Sequence, residues 1–426
     1  MNKNIVPLKV AVISDSQAYP TLSDWGMNNL NNALQFLAPM KPDLILMAGD
    51  LADGTDFETF KFYRELLEKY FSPLPVHVGC AGNHDYWVPR GTERDPQFIY
   101  SEMCRLIGQK NANPLRETVG GYDFIALSED INLEDGYSRE MLKKLEAEIK
   151  AAVARDKNKP VFVVTHFHPA NTVTGSYHSS GRAELRELFN RYPQVVSISG
   201  HTHCPLEDER CIWQGEFTAV NTSTLAYGCV EESCYNNCSV IIPFAREVLG
   251  VMMIEIYPDH YDIHRYNIAD NREIKPDQIW SSPIPYSPEM AKYTPQRKAE
   301  RQAPQFPDNA KAVIRYDYGF LYLIFDPAEH EDFTHFYNIK VFEKTENGYI
   351  LKAEERYISD FYRKQDFAGK QLIFKLPSEK ITPDSVCRVE IYPEETFGNT
   401  GKPLVTERKL PNPLSFKEGK PLYPQE

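Results

Sequence analysis

The chain has 426 residues, with 47 basic against 60 acidic side chains and a net charge of −13. At roughly 100 to 200 residues per domain, that length predicts two domains, and the acidic balance excludes a protein that coats duplex DNA or an anionic membrane. No stretch approaches the roughly 20 apolar residues that span a bilayer, and the start MNKNIVPLKVAVISD lacks the apolar core and cleavage site of a secretory signal, so a cytoplasmic protein is expected.

From residue 9 to about 270, short apolar runs alternate with amphipathic stretches. The runs 10–13, 44–47, 76–78, 161–164 and 195–198 are mostly apolar, with His77 and Ser197 the exceptions, and end in polar residues or glycine, as buried strands do. Between them, 27–37, 57–70, 138–154 and 183–191 carry apolar residues at helical spacing, for example Leu142, Leu145 and Ile149 on one stripe. Strands alternating with helices predict an α/β sheet covered by helices. After His201 only strands are predicted (211–220, 239–244, 251–257 and 261–266), forming a second sheet or the antiparallel half of a sandwich. Residues 276–305 are dense in proline and charge and read as a linker. Beyond it, runs at 312–316, 321–325, 336–343, 349–356, 371–376 and 386–392, with an Asn347-Gly348 hairpin turn, predict a small all-β sandwich over 306–426. The eight cysteines are too few and too irregular for a disulfide framework and read as reduced thiols.

Five polar blocks follow these strands directly: Asp15-Ser16-Gln17, Gly49-Asp50, Gly82-Asn83-His84-Asp85, Thr165-His166 and Gly200-His201-Thr202-His203. Strand C-termini are where open α/β sheets build their ligand sites, so the blocks should meet at one sheet edge. Alone, each has an ordinary reading, since an Asp after a strand is usually a turn residue and a lone His is usually hydrogen-bonded structure. In series they offer the carboxylates, amide and imidazoles suited to Mn²⁺, Zn²⁺ or Fe²⁺.

That series, D-x-H (here D-x-Q), G-D, G-N-H-D, H and G-H-x-H, resembles the signature of the calcineurin-like metallophosphoesterases over about residues 8–268. The resemblance implies a four-layer α/β/β/α sandwich in residues 1–275, two divalent metal ions and a phosphoesterase. Carried over residue by residue, it implies that Asp15, Gln17, Asp50 and His203 hold one ion and that Asp50, Asn83, His166 and His201 hold the other, with Asp50 between them. It also implies attack by a hydroxide shared by the two ions, with His84 as the acid for the leaving group and Asp85 orienting His84 or its loop. Gln17 stands where the family usually has histidine, and its neutral amide oxygen is a weaker ligand. The D-x-Q variant is similar to manganese-dependent ADP-ribose and CDP-alcohol diphosphatases, implying manganese and a small phosphoester, nucleotide phosphodiester or diphosphate as substrate. The stretch 397–404 resembles the end of a fibronectin type III domain.

Candidate substrate contacts are His168, Tyr177, His178, Arg182 and the Tyr86-Trp87 pair. For His168 a hydrogen-bonded loop histidine is the alternative, and for Tyr86-Trp87 the alternative is ordinary packing. Two other functions use the same fold: a scaffold on a decayed site, to which only Gln17 points, and a nuclease, against which the acidic balance and the lack of a Lys/Arg stripe argue.

Overall fold

The computed structural model describes residues 6–19, 24–54, 57–87, 95–129, 136–176, 180–231, 238–317, 320–363 and 370–411. The chain forms two compact units, Met1–Thr294 and Pro295–Glu426.

The first unit is built on two sheets. One is ordered β14-β13-β12-β1-β2-β3, from β1 (Leu8–Ile13), β2 (Leu44–Ala48), β3 (Val76–Cys80), β12 (Gly250–Ile256), β13 (His260–Asn267) and β14 (Arg272–Glu273), with β15 (Trp280–Pro283) also on β13. In it β1, β2 and β3 run parallel, while β12 and β13 are antiparallel. The other is ordered β4-β5-β6-β7-β9-β8, from β4 (Leu115–Val119), β5 (Tyr122–Leu127), β6 (Val161–Thr165), β7 (Val195–Ser199), β8 (Ile212–Gln214) and β9 (Thr218–Asn221). A small pair, β10 (Cys229–Glu231) and β11 (Cys238–Ile241), lies apart from both.

Period-two alternation sets the layers. Val10, Val12, Leu44 and Leu46 face Phe162, Val164, Val196 and Ile198 between the sheets. Their neighbours Ala11, Ile13, Ile45 and Met47 face outward, under α1 (Asp24–Leu37), α2 (Phe57–Tyr70) and α3 (Pro96–Ile107). On the far side, Ile125, Val163 and Val195 pack under α4 (Arg139–Arg155) and α5 (Ser180–Phe189). The result is the α/β/β/α sandwich.

Several elements differ from expectation. The strands after His201 form no sheet of their own, because β8 and β9 extend the second sheet while β12 and β13 extend the first. The sequence reading omitted α3, β4 and β5, although α3 carries clear ends: Asp95 accepts from the Gln97 amide at 3.0 Å, Pro96 opens the helix and Gly108, at φ 81°, closes it. Within 276–305, β15 pairs with β13 and Trp280 is 1% exposed, so the first unit incorporates this stretch as far as Thr294.

The second unit is all-β in its described sheets. A three-stranded sheet, β16-β17-β20 (Ala312–Asp317, Phe320–Phe325, Leu372–Leu376), and a four-stranded sheet, β19-β18-β21-β22 (Gly348–Ile358, Phe336–Thr345, Val386–Glu394, Leu404–Lys409), share one core containing Leu323, Phe325, Ile339, Val389 and Ile391. Along β21 buried and half-buried residues alternate, as expected of a strand with one face on a core.

Candidate metal centre

The five blocks converge from both sheets, not from one sheet edge as the sequence reading had it: three follow β1, β2 and β3, and two follow β6 and β7. Backbone bonds stitch the loops together. The Asp15 amide donates to the Gly49 carbonyl at 3.0 Å, the Gln17 amide to the Asp50 carbonyl at 2.9 Å and the Gly200 amide to the His166 carbonyl at 3.1 Å. Asp15, Gln17, Asp50, His201 and His203 all sit at positive φ, between 42° and 72°. Non-glycine residues rarely accept that conformation, and such strain concentrates at functional sites. The glycines are steric requirements. A Cβ on Gly82 would stand 2.3 Å from Asp50 Oδ1, and one on Gly200 would stand 2.4 Å from Asp15 Oδ2.

Two groups of ligand atoms result. Asp15 Oδ1 lies 3.1 Å from His203 Nε2. Asp50 Oδ2 lies 3.2 Å from His166 Nε2, which is 3.0 Å from Asn83 Oδ1. Ligand atoms of Asp15, Asp50 and His166 all fall within 4.8 Å of one another. Both histidines donate Nδ1–H to a backbone carbonyl, His166 to Ala48 and His203 to Tyr227, each at 2.9 Å. That fixes the tautomer and leaves the Nε2 lone pair facing carboxylate oxygen, the arrangement that supports a metal ligand. Asp50 Oδ2 is buried without a hydrogen-bond partner. Lone pairs converging on a buried carboxylate oxygen demand a cation. Burial opposes charge on both His166 and Asp50, yet each favours the charged form of the other, so without a metal ion a proton on His166 Nε2 takes the place of the cation. The residues therefore fit divalent metal.

His84 occupies the rim. Its Nδ1 is 2.7 Å from Asp53 Oδ1, and its Nε2 is 3.9 Å from Asp50 Oδ2. Burial works against its protonation, but the Asp53 hydrogen bond and Asp50 raise its pKa above the ordinary value. Asp53 was not singled out from the sequence, although a second carboxylate three residues after Asp50 in the same loop was the available signal. Asp85 does not reach the His84 ring among its hydrogen bonds. It accepts backbone amides of Asp50, Ala52 and Gly82, each at 2.9 Å, and thereby ties the loops after β2 and β3. Burial and the Asp50 charge push it up to about 7.

The expected substrate contacts fare unevenly. Tyr86 is half-buried and packs against the core beneath the helices. His168 is fully buried, its Nε2 3.4 Å from Thr202 Oγ1 and 3.5 Å from Asn221 Nδ2 and its Nδ1 without a hydrogen-bond partner, and burial with nearby Arg182 lowers it to about 3. Arg182 is buried with its guanidinium 4.3 Å from the Phe167 ring centre, and its charge depresses His201 after burial and His166 have done so. Tyr177 and His178 lie outside the described residues. Tyr227, which no sequence signal marked, sets its ring 4.6 Å from that of His203.

Residues 8–205 match the family model described as calcineurin-like phosphoesterase. A probable glycerophosphodiester phosphodiesterase of Arcobacter nitrofigilis is 27% identical over 172 residues, covering 38% of this chain and 57% of that relative's length. Among solved structures, a dimetal phosphatase from Danio rerio aligns at TM-score 0.43 and 10% identity, covering 63% of this chain and 99% of that one. A purple acid phosphatase from yellow lupin aligns at TM-score 0.42 and 13% identity, covering 65% and 54%. The candidate ligands, from Asp15 to His203, all lie within the residues that resemble the calcineurin-like phosphoesterases.

Proposed function

We propose that the chain is a dinuclear-metal phosphoesterase acting on a small phosphodiester. The observation that carries this is the pair of histidines, His166 and His203, each held by a backbone carbonyl so that Nε2 faces Asp50 or Asp15. Asp15, Gln17, Asp50 and His203 would hold one ion, and Asp50, Asn83, His166 and His201 the other. When bound, the two ions supply Lewis acidity at the phosphoryl oxygens and an acidified water for in-line attack. The chain's own residues do the rest. Asp53 holds His84 in one orientation and favours its protonated form, and His84 Nε2 delivers a proton to the departing oxygen. Asp85 fixes the backbone from which Asp50 and His84 project.

The diester reading is supported by the named activity of the Arcobacter relative, whose length is matched over only 57%. A diphosphate substrate and a manganese preference rest on Gln17 alone. For the second unit we propose a fibronectin type III-like sandwich, which its three-plus-four strand arrangement supports. A cytoplasmic location remains a proposal suited by the unbridged thiols of Cys80, Cys104, Cys211, Cys229 and Cys387. The test is a panel of aryl monoesters, aryl diesters, cyclic nucleotides and nucleotide diphosphates with Mn²⁺, Zn²⁺ and Mg²⁺. Diester turnover that depends on added metal is expected; a preference for monoesters or diphosphates would replace the diester reading.

A further inference from the structure

After the Gly82–Asp85 turn, two neighbouring aromatic side chains go to different places. Tyr86 enters the core, whereas Trp87 is 52% exposed. Trp213 and Trp280, by contrast, are 9% and 1% exposed. The Trp87 ring lies on the His84 ring, with centroids 3.6 Å apart and planes 35° from parallel. Its position is fixed by the backbone, because the amides of Trp87 and Gly54 both donate to the His84 carbonyl, at 3.1 and 3.0 Å. Among the described residues, Asp53, at 2.7 Å, and Asp50, at 3.9 Å, also face the imidazole. The indole is therefore an apolar surface beside the group that would protonate the leaving oxygen. A large apolar ring held half in water at a rigid position is favoured when a ligand covers it.

We propose that Trp87 determines specificity by stacking on the leaving alcohol, and that this alcohol carries a planar ring, as a nucleoside does and glycerol does not. The proposal rests on the phosphoesterase reading, with His84 as proton donor. Stacking on an aromatic side chain accepts any base, because every base presents a π-face. Substrate preference would then follow ring content, not base identity.

The test compares the methyl phosphodiesters of adenosine, through its 5′-hydroxyl, and of glycerol, using the full chain with Mn²⁺. Both leaving groups are primary alcohols of similar intrinsic reactivity, so the ratio of their kcat/KM values isolates recognition. Wild type should favour the adenosine ester; Trp87→Phe should keep that ratio within about threefold, and Trp87→Ala should lower it about tenfold or more. An equal ratio in all three proteins would overturn the proposal, because Trp87 would then only support His84. A choline ester favoured over both, with its preference lost in Trp87→Ala, would also overturn it, in favour of cation recognition. If wild type cleaves neither ester, the diester reading fails by itself. Stacking is then read from tryptophan fluorescence during titration with adenosine monophosphate: quenching lost in Trp87→Phe supports it, and equal quenching in both proteins overturns it.

Discussion

His166 and His203 bind backbone carbonyls through Nδ1 and turn Nε2 to Asp50 and Asp15, so the metal reading depends on a few atoms whose roles are separable. His84 stands outside both groups. His84→Ala should lower kcat on the order of 10²- to 10⁴-fold while bound metal stays constant; metal analysis beside steady-state kinetics checks both halves. The pH profile tests its partner. His84 has a pKa raised in the folded protein by Asp53 and Asp50, so its donor form persists above the ordinary imidazole range and is lost as pH rises through the raised value. Asp53→Asn removes one of the stabilising charges, and the alkaline limb of kcat/KM should move to lower pH. An unmoved limb would detach Asp53 from His84. The candidate ligands were legible as a series because each follows a strand that delivers it. The enclosure of His168 and Tyr86 was not legible, because spacing along a chain does not reveal which face of a loop is enclosed. The relation of Asp53 to His84 arises from loops separated by a whole helix and strand, which no local pattern records.

The alternation of Val10 and Val12 against Ala11 and Ile13 places β1 between two apolar layers, and this was visible in the sequence as an uninterrupted apolar run. The assignment of later strands to one sheet or the other was not visible, because pairing partners are distant in the chain. The turn that follows His203 is anchored by a buried ion network. Arg265 contacts Glu209 at 3.0 Å and lies 4.1 Å from the Trp280 ring centre, while Lys275 and the Trp280 indole N–H each reach Glu209 at 2.9 Å. Removing one partner strands a buried charge, so Arg265→Ala should cost about 3 to 5 kcal/mol in denaturant unfolding. Burial alone would raise the Glu209 pKa, but Arg265 and Lys275 hold it at about 2, below its ordinary 4.5. The sign follows: this contribution is complete above 4.5, is lost as pH falls toward about 2, and should be reduced in Arg265→Ala. Equal acid sensitivity in the variant would contradict the network's role.

For the whole molecule, composition and periodicity predicted an α/β part followed by a β-rich part, since helical and alternating patterns are local properties. The limit of the first compact unit was less legible. Proline density marked 276–305 as irregular but could not show that β15 pairs with β13 or that Trp280 is buried. A chain ending at residue 294 should therefore retain the stability of the first unit, whereas one ending at 275 loses the Trp280 side chain and should be weaker by about 3 to 5 kcal/mol or more. Thermal unfolding of the two truncated chains distinguishes them, and equal stability would return 276–294 to the status of a linker.

The central claim is that the converged carboxylates and histidines form a working two-metal site. Its most direct test is divalent metal bound per chain, measured together with metal-dependent hydrolysis of an aryl phosphodiester, in wild type and Asp50→Asn. The account predicts about two ions per wild-type chain with turnover, and loss of both ions and activity in the variant. A wild-type protein that binds no metal and cleaves no phosphoester would contradict it and leave a scaffold on a phosphoesterase fold.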